Sequence, residues 1–231
     1  MKRFWKEVAV APVQGGWQVL LDGRKVKTQA GGAQVVPTAA TAELLAAEWR
    51  AQGAEIDPNG FPLRDLTDYA LDVISLDTAP VLAKLIGYAE TDTLCYRADP
   101  DELLYPRQRD LWEPLVTATE ARHGVSFTRV SGIMHRPQKP ETLATLRAVI
   151  ATLDPFTLAA LELTTSLSAS LITGLAALEP DADPAALFAA ANAEEDWQAE
   201  QWGWEWTAEE RRERRLAAFV RAVEFIRAAK A

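Results

Sequence analysis

The spacing of apolar residues changes once along the chain, and this change limits the folds that the chain can adopt. Before Pro37, apolar and polar residues alternate over residues 17–21 and again over 24–28, and Asp22-Gly23 separates the two runs. Alternation with a period of two predicts strands, and Asp-Gly is a typical two-residue hairpin turn. We therefore predict three or four short antiparallel strands in this region. A sheet this small needs further elements to complete a core.

After Pro37 the apolar residues recur at intervals of three and four, which predicts helices. The later predicted helices cover residues 101–122, 141–152, 155–174, 184–203 and 207–229. Two short β-prone runs, at 93–97 and 125–130, are expected to pair in one sheet beside the helices.

The predicted fold class is therefore α+β. We expect a small N-terminal antiparallel β subdomain over residues 1–37, followed by a larger, mainly α-helical domain with a few short strands over residues 38–231.

Charge and composition exclude several classes of protein. The chain has 24 Lys and Arg against 33 Asp and Glu, a net charge of -9, whereas nucleic-acid binding needs a basic face. We expect no membrane insertion, because no run approaches the ~18 apolar residues of a spanning helix. One cysteine and two histidines provide too few ligands for a typical thiolate or histidine metal site, so we expect no metal and no cofactor. The first residues lack a signal core, which predicts a cytoplasmic protein.

Residues with catalytic chemistry are few and scattered. The sequence contains no nucleophile elbow, phosphate-binding loop or dinucleotide fingerprint. Cys95 lies in an apolar, β-prone run, which predicts a buried and unreactive thiol. His135 follows Met134 in a predicted loop. The chain is therefore not expected to be an enzyme. One alternative is an acid–base hydrolase that combines His135 with a carboxylate of the acidic cluster at 194–196.

Two segments stand out from this background. Residues 90–97 form a polar lead into a short strand that ends in an aromatic residue and an arginine. Residues 193–206 contain four tryptophans interleaved with five acidic residues. These tryptophans would be core anchors bonded to nearby carboxylates, or they would form a surface that docks another protein, because aromatic residues dominate such interfaces. The spacing leaves both interpretations open.

The order of several motifs resembles the ATP-twelve family. The matching stretches are residues 3–6, 17–24, 48–49, 92–97, 108–114, 194–198 and 201–203. Members of this family are assembly chaperones for the alpha subunit of the F-type ATP synthase catalytic sector. They occur in mitochondria and in related bacteria, and the absence of a transit peptide fits a bacterial, cytoplasmic member.

The resemblance implies a non-enzymatic function. Such a protein binds the unassembled alpha subunit, masks its subunit interface and promotes assembly of the hexamer. Glu194 matches a functionally important glutamate of the family, and we expect it to bind the partner together with Glu195, Gln198 and Trp202. Trp49 matches a family tryptophan whose role is packing or contact. We expect a monomer, and a stable accessory subunit of a larger complex is a further alternative.

Overall fold

A computed structural model describes residues 1–132 and 134–231 and contains a three-stranded sheet, a two-stranded sheet and ten α-helices within those residues. The strands are β1 (Val8–Val13), β2 (Gly16–Leu21), β3 (Arg24–Lys25), β4 (Tyr96–Arg97) and β5 (Val130–Ser131). The helices are α1 (Ala39–Ala51), α2 (Pro62–Tyr69), α3 (Ala79–Glu90), α4 (Leu104–His123), α5 (Pro140–Ile150), α6 (Pro155–Ser168), α7 (Leu171–Ala176), α8 (Pro184–Ala191), α9 (Ala193–Trp202) and α10 (Trp206–Lys230). This arrangement confirms the predicted α+β class.

The N-terminal sheet is antiparallel, with strand order β1-β2-β3. Val10 of β1 pairs with Val19 of β2, which is almost fully buried. Between β2 and β3, Asp22 has φ 49° and Gly23 has φ 77°. A two-residue hairpin turn with both central residues at positive φ matches the twist of its strands. The predicted Asp-Gly hairpin is therefore confirmed.

The predicted continuous helix over 155–174 is wrong, because two helices occupy this stretch. Helix α6 ends at Ser168, and Ala169 adopts a left-handed φ of 50°. Ser170 then caps α7, since its Oγ accepts a hydrogen bond from the Thr173 N–H at 3.0 Å. A serine in this position satisfies a backbone donor that a new helix would otherwise leave unpaired.

The predicted helix over 184–203 is likewise two helices, which meet at Asn192. Its backbone leaves the helical region, with φ -105° and ψ 23°. The Asn192 side chain donates to the Phe188 carbonyl at 2.8 Å and accepts a bond from the Arg215 guanidinium at 2.6 Å. The local bond to Phe188 and the tertiary bond to Arg215 together fix the direction in which α9 leaves α8.

The two β-prone runs form the expected pair, although it is shorter than the runs themselves. Strands β4 and β5 run parallel, with Tyr96 opposite Val130. Glu113 of α4 binds the guanidinium groups of Arg97 and Arg129 at 2.8 Å each. The hydrogen bonds from these arginines, Arg129 foremost, lower the pKa of Glu113 to about 2. Paired charges with several hydrogen bonds thus hold the short strands against α4.

The chain folds into two compact units. One unit contains residues 1–78, 154–160 and 224–231, and the other contains residues 79–153 and 161–223. Each unit combines segments that are distant in sequence, and each unit contains both strands and helices. The division into residues 1–37 and 38–231 therefore stays a prediction. Within the described ranges, none of the helices combines the length and the apolar character needed to cross a bilayer.

Asp92 is completely buried in the second unit, where it joins two segments that are distant in sequence. Its carboxylate accepts the Leu94 N–H at 3.1 Å and the Ile172 N–H at 3.0 Å. Burial is the main cause that raises its pKa to about 6, and the hydrogen bonds from Ile172 and its neighbours oppose this shift. Asp92 therefore has a structural role in the motif at 92–97.

We expect the raised pKa of Asp92 to make folding less favourable as the pH rises from about 4 to about 6. In that interval the folded state binds the proton more tightly than the unfolded state, so deprotonation removes a contribution on the order of 2 kcal/mol. Asp92→Asn should lose this dependence on pH, because the amide does not titrate and cannot lose a proton in the folded state. Urea unfolding across this interval measures the difference between the two proteins. Parallel stability curves for wild type and variant would contradict the assignment.

Cys95 is buried next to this aspartate, as predicted. Loss of solvation and, to a lesser extent, the neighbouring Asp92 charge raise the pKa of its thiol. Because the thiolate is the reactive form and little of it is present, this cysteine is unreactive.

Candidate protein-docking surface

Helix α9 carries three acidic residues in its first turn, and two of them pair with arginines of α10. Asp196 makes a bidentate ion pair with Arg212 of α10, at 2.8 and 3.0 Å. Glu195 accepts a bond from Arg215 at 3.2 Å. These contacts fasten α9 to α10. Partner binding by Glu195 stays a prediction, and its carboxylate would reach a partner only while sharing this arginine.

Glu194 is placed differently from its two neighbours. Its carboxylate accepts a bond from the Gln108 side chain of α4 at 2.6 Å. Gln108 is fully buried, and its own oxygen accepts the Ala98 N–H at 2.8 Å. The Glu194 side chain remains accessible to solvent. Partial loss of solvation by the surrounding protein raises the pKa of its carboxyl group, and the hydrogen bond from Gln108 opposes this shift. A buried amide thus orients an accessible carboxylate.

The two segments singled out in the sequence meet at this carboxylate. Glu194 borders a shallow depression of about 390 Å³ together with Thr91, Thr93, Tyr96 and His135. The Tyr96 hydroxyl lies 2.8 Å from Nδ1 of His135. The depression therefore contains hydroxyl groups, an imidazole and a carboxylate that face solvent. Polar groups of this kind can receive a charged or polar side chain of a partner.

Three exposed indoles follow at the end of α9. Trp202 is 79% exposed and Trp206 is 74% exposed, whereas Trp204 is 37% exposed. Gln198, one turn before Trp202, is exposed as well. These tryptophans are not core anchors. Exposed aromatic residues bordered by charges are typical of surfaces that bind proteins.

Another arginine lies beside this surface. Arg107 of α4 binds the Glu200 carboxylate of α9 with both terminal nitrogens, at 2.5 and 2.8 Å. The pair positions the outer turn of α9, which precedes the exposed indoles. As both groups face solvent, we expect the pair to contribute mainly orientation and little stability.

The hydrolase interpretation requires carboxylates and His135 in one deep pocket. Glu194 shares the shallow depression with His135, but Glu195 and Asp196 point to arginines of α10. In the part of the chain that the structure describes, no group of three His, Cys, Asp or Glu residues could hold a metal ion. The geometry is closer to that of a docking surface than to that of a reaction centre.

Trp49 lies in the first unit, where it packs edge to face in an aromatic cluster. Its ring centroid is 4.9 Å from that of Trp5 and 4.6 Å from that of Phe61. The preceding Glu48 accepts the backbone N–H groups of Leu63 and Arg64 at 2.7 and 2.9 Å, and so caps the start of α2. The Glu-Trp motif therefore serves packing and helix capping.

Solved structures with the same fold place the chain among the chaperones. The structure of Atp12 from Paracoccus denitrificans matches with a TM-score of 0.92 and 36% identity, over 99% of this chain and 98% of that one. A protein from Agrobacterium tumefaciens matches with a TM-score of 0.93 and 38% identity, over 98% of this chain and 85% of that one.

The family is also identified by sequence. The model described as ATP12 chaperone protein matches residues 2–120. The mitochondrial protein atp12 of Schizosaccharomyces pombe is 28% identical over 87% of this chain and 74% of its own length. The chain belongs to the ATP12 chaperone family, which confirms the resemblance found in its motifs.

Proposed function

We propose that this protein binds the unassembled alpha subunit of the F-type ATP synthase catalytic sector, masks its subunit interface and promotes assembly of the hexamer. Family membership supports this proposal, and so does the surface formed by the Glu194 depression and the exposed indoles at α9. A subunit that awaits its neighbours exposes a large apolar patch, which promotes aggregation. Covering it requires an interface on the order of 1,600 Å² in total.

The composition of the α9 surface suits temporary binding. Trp202 and Trp206 supply apolar area, while Glu194 and Gln198 supply polar contacts around it. An interface with a polar border can hold the alpha subunit and still release it when the beta subunit competes for the same face. In this proposal Glu194, Glu195, Gln198 and Trp202 contact the alpha subunit, and the protein acts as a monomer in the bacterial cytoplasm.

Purified alpha subunit provides the direct test. Alpha subunit diluted from denaturant should scatter less light when an equimolar amount of this protein is present, and the two should co-elute in gel filtration. Addition of beta subunit should then release the chaperone and yield hexamers. Unchanged light scattering and separate elution would contradict the proposal. Stoichiometric retention of the protein on finished ATP synthase would instead indicate a stable accessory subunit.

A further inference from the structure

A second concave surface lies in the first unit, far along the sequence from α9. It is a groove of about 530 Å³ bordered by the N-terminal arm, the β2–β3 hairpin, α1 and α2. Its walls carry aromatic and cationic side chains, chiefly Phe4, Trp5, Trp49, Lys25, Lys27 and Arg64. Phe4 is 66% exposed and adds apolar surface at the edge of the groove. The groove is therefore an aromatic cleft with a basic edge.

The basic edge contrasts with the acidic charge of the whole chain, which is -9. Lys25 and Lys27 are exposed, and neither makes an ion pair within residues 1–132 and 134–231. The two carboxylates of the groove are engaged in internal hydrogen bonds. Asp22 accepts the Glu7 N–H at 2.8 Å, and Asp68 accepts the Gln34 amide at 2.5 Å. A bond from a neutral amide does not cancel the charge of a carboxylate, but the groove still carries more cationic than anionic side chains, with Arg24, Lys25, Lys27 and Arg64 against Asp22 and Asp68.

Two buried hydrogen-bond donors in the walls have no acceptor. Trp5 and Trp49 are 3% and 8% exposed, and the indole Nε1 of each lacks a partner in the described part of the chain. A buried indole N–H normally finds an acceptor, and one that does not requires an explanation. Both rings line the same groove, but their Nε1 atoms are enclosed by protein, so an occupant would reach them only by displacing the side chains around them.

We propose that this groove binds an acidic, extended peptide segment of a protein partner. Carboxylates of the segment pair with Lys25 and Lys27, and an apolar side chain packs against Phe4 beside the rings of Trp5 and Trp49. This inference goes beyond the proposed function, since it concerns a different surface and needs no ATP synthase subunit for its test. It gives the protein two docking surfaces of opposite charge.

Fluorescence anisotropy with a designed probe tests the proposal. The probe is a fluorescein-labelled peptide of glutamates around a central phenylalanine, and a peptide with lysines in place of glutamates is its counterpart. We expect the acidic probe to bind and the basic one to fail. The double variant Lys25→Glu/Lys27→Glu should weaken binding about tenfold, because two attractive contacts become repulsive. Salt should weaken binding as well.

The matched control is Arg211→Glu/Arg221→Glu, which changes the net charge equally at exposed positions of α10. It should bind the acidic probe nearly as well as the wild type. Equal weakening in both double variants would overturn the proposal, because it would reduce the effect to overall charge. Phe4→Ala should also weaken binding, and it changes no charge.

Indole N–H resonances provide a second measurement. In a ¹⁵N-labelled sample, the signals assigned to Trp5 and Trp49 through their Phe variants should shift when the acidic probe is added. Shifts confined to Trp202, Trp204 and Trp206 would place the peptide on the α9 surface and overturn the proposal. Failure of the alpha-subunit assay together with intact probe binding would count against the proposed function alone.

Discussion

Trp112→Ala is expected to lower the free energy of unfolding by about 3–5 kcal/mol, the range for removing a fully buried large aromatic side chain. Trp112 of α4 has no solvent exposure, and its indole N–H donates to the Ala190 carbonyl of α8 at 2.6 Å. The substitution leaves a cavity and removes the donor from a buried carbonyl, and both effects destabilise the fold. Equilibrium unfolding in urea measures the loss.

The control for this prediction is the same substitution at an exposed tryptophan. Trp206 is 74% exposed, so Trp206→Ala should change stability by less than about 0.5 kcal/mol. A similar loss of stability in both variants would contradict the buried-anchor role of Trp112. Trp206→Ala is also informative in the alpha-subunit assay, where an interface role would reduce binding without a change in stability.

Glu194→Lys is expected to weaken binding of the alpha subunit at least about 30-fold, as the loss of a hydrogen-bonded charge within an interface typically costs 2–5 kcal/mol. The new ammonium group would repel a basic group of the partner and could no longer accept the Gln108 bond. The affected helix surface is accessible to solvent, so the fold should persist. Circular dichroism checks the fold, and surface plasmon resonance with immobilised alpha subunit measures the affinity.

Glu194→Gln separates the charge from the hydrogen bond. Glutamine keeps an acceptor oxygen for Gln108 and removes the negative charge. We expect its thermal stability to match that of the wild type and its affinity to fall between those of wild type and Glu194→Lys. An unfolded Glu194→Lys would make Glu194 a structural residue, and a Glu194→Gln with wild-type affinity would exclude its charge from partner binding.

Local patterns were sufficient for much of the fold. The Asp22-Gly23 hairpin depends on two adjacent residues, so it could be predicted. The break at Ala169 could not, because alanine favours the helix interior, and an asparagine such as Asn192 can end a helix but does not by itself show that it does. Asn192 ends α8 through its bond to Arg215, a residue more than twenty positions away. Such a tertiary contact cannot be predicted from local helical propensity.

The candidate site was predicted in parts. Tyr96 and Glu194 belong to two separate sequence motifs, and sequence spacing cannot show that they border one depression. The supporting role of Gln108 was missed, although the residue lies in a matching motif. The only sequence signal for this role was the presence of a glutamine inside a predicted helix. The role of Trp49 became evident only from its packing against Trp5 and Phe61.

The buried Cys95 makes this protein suitable for mapping its contacts with partner proteins by site-directed labelling. Since the sequence has a single cysteine and its thiol is shielded, a cysteine introduced on the surface would be the main target of a maleimide reagent. Photoreactive labels placed one at a time along α9 and beside Lys25 would each report the nearest partner polypeptide. The native protein should therefore react little with a thiol reagent, and no cysteine has to be removed before site-directed labelling.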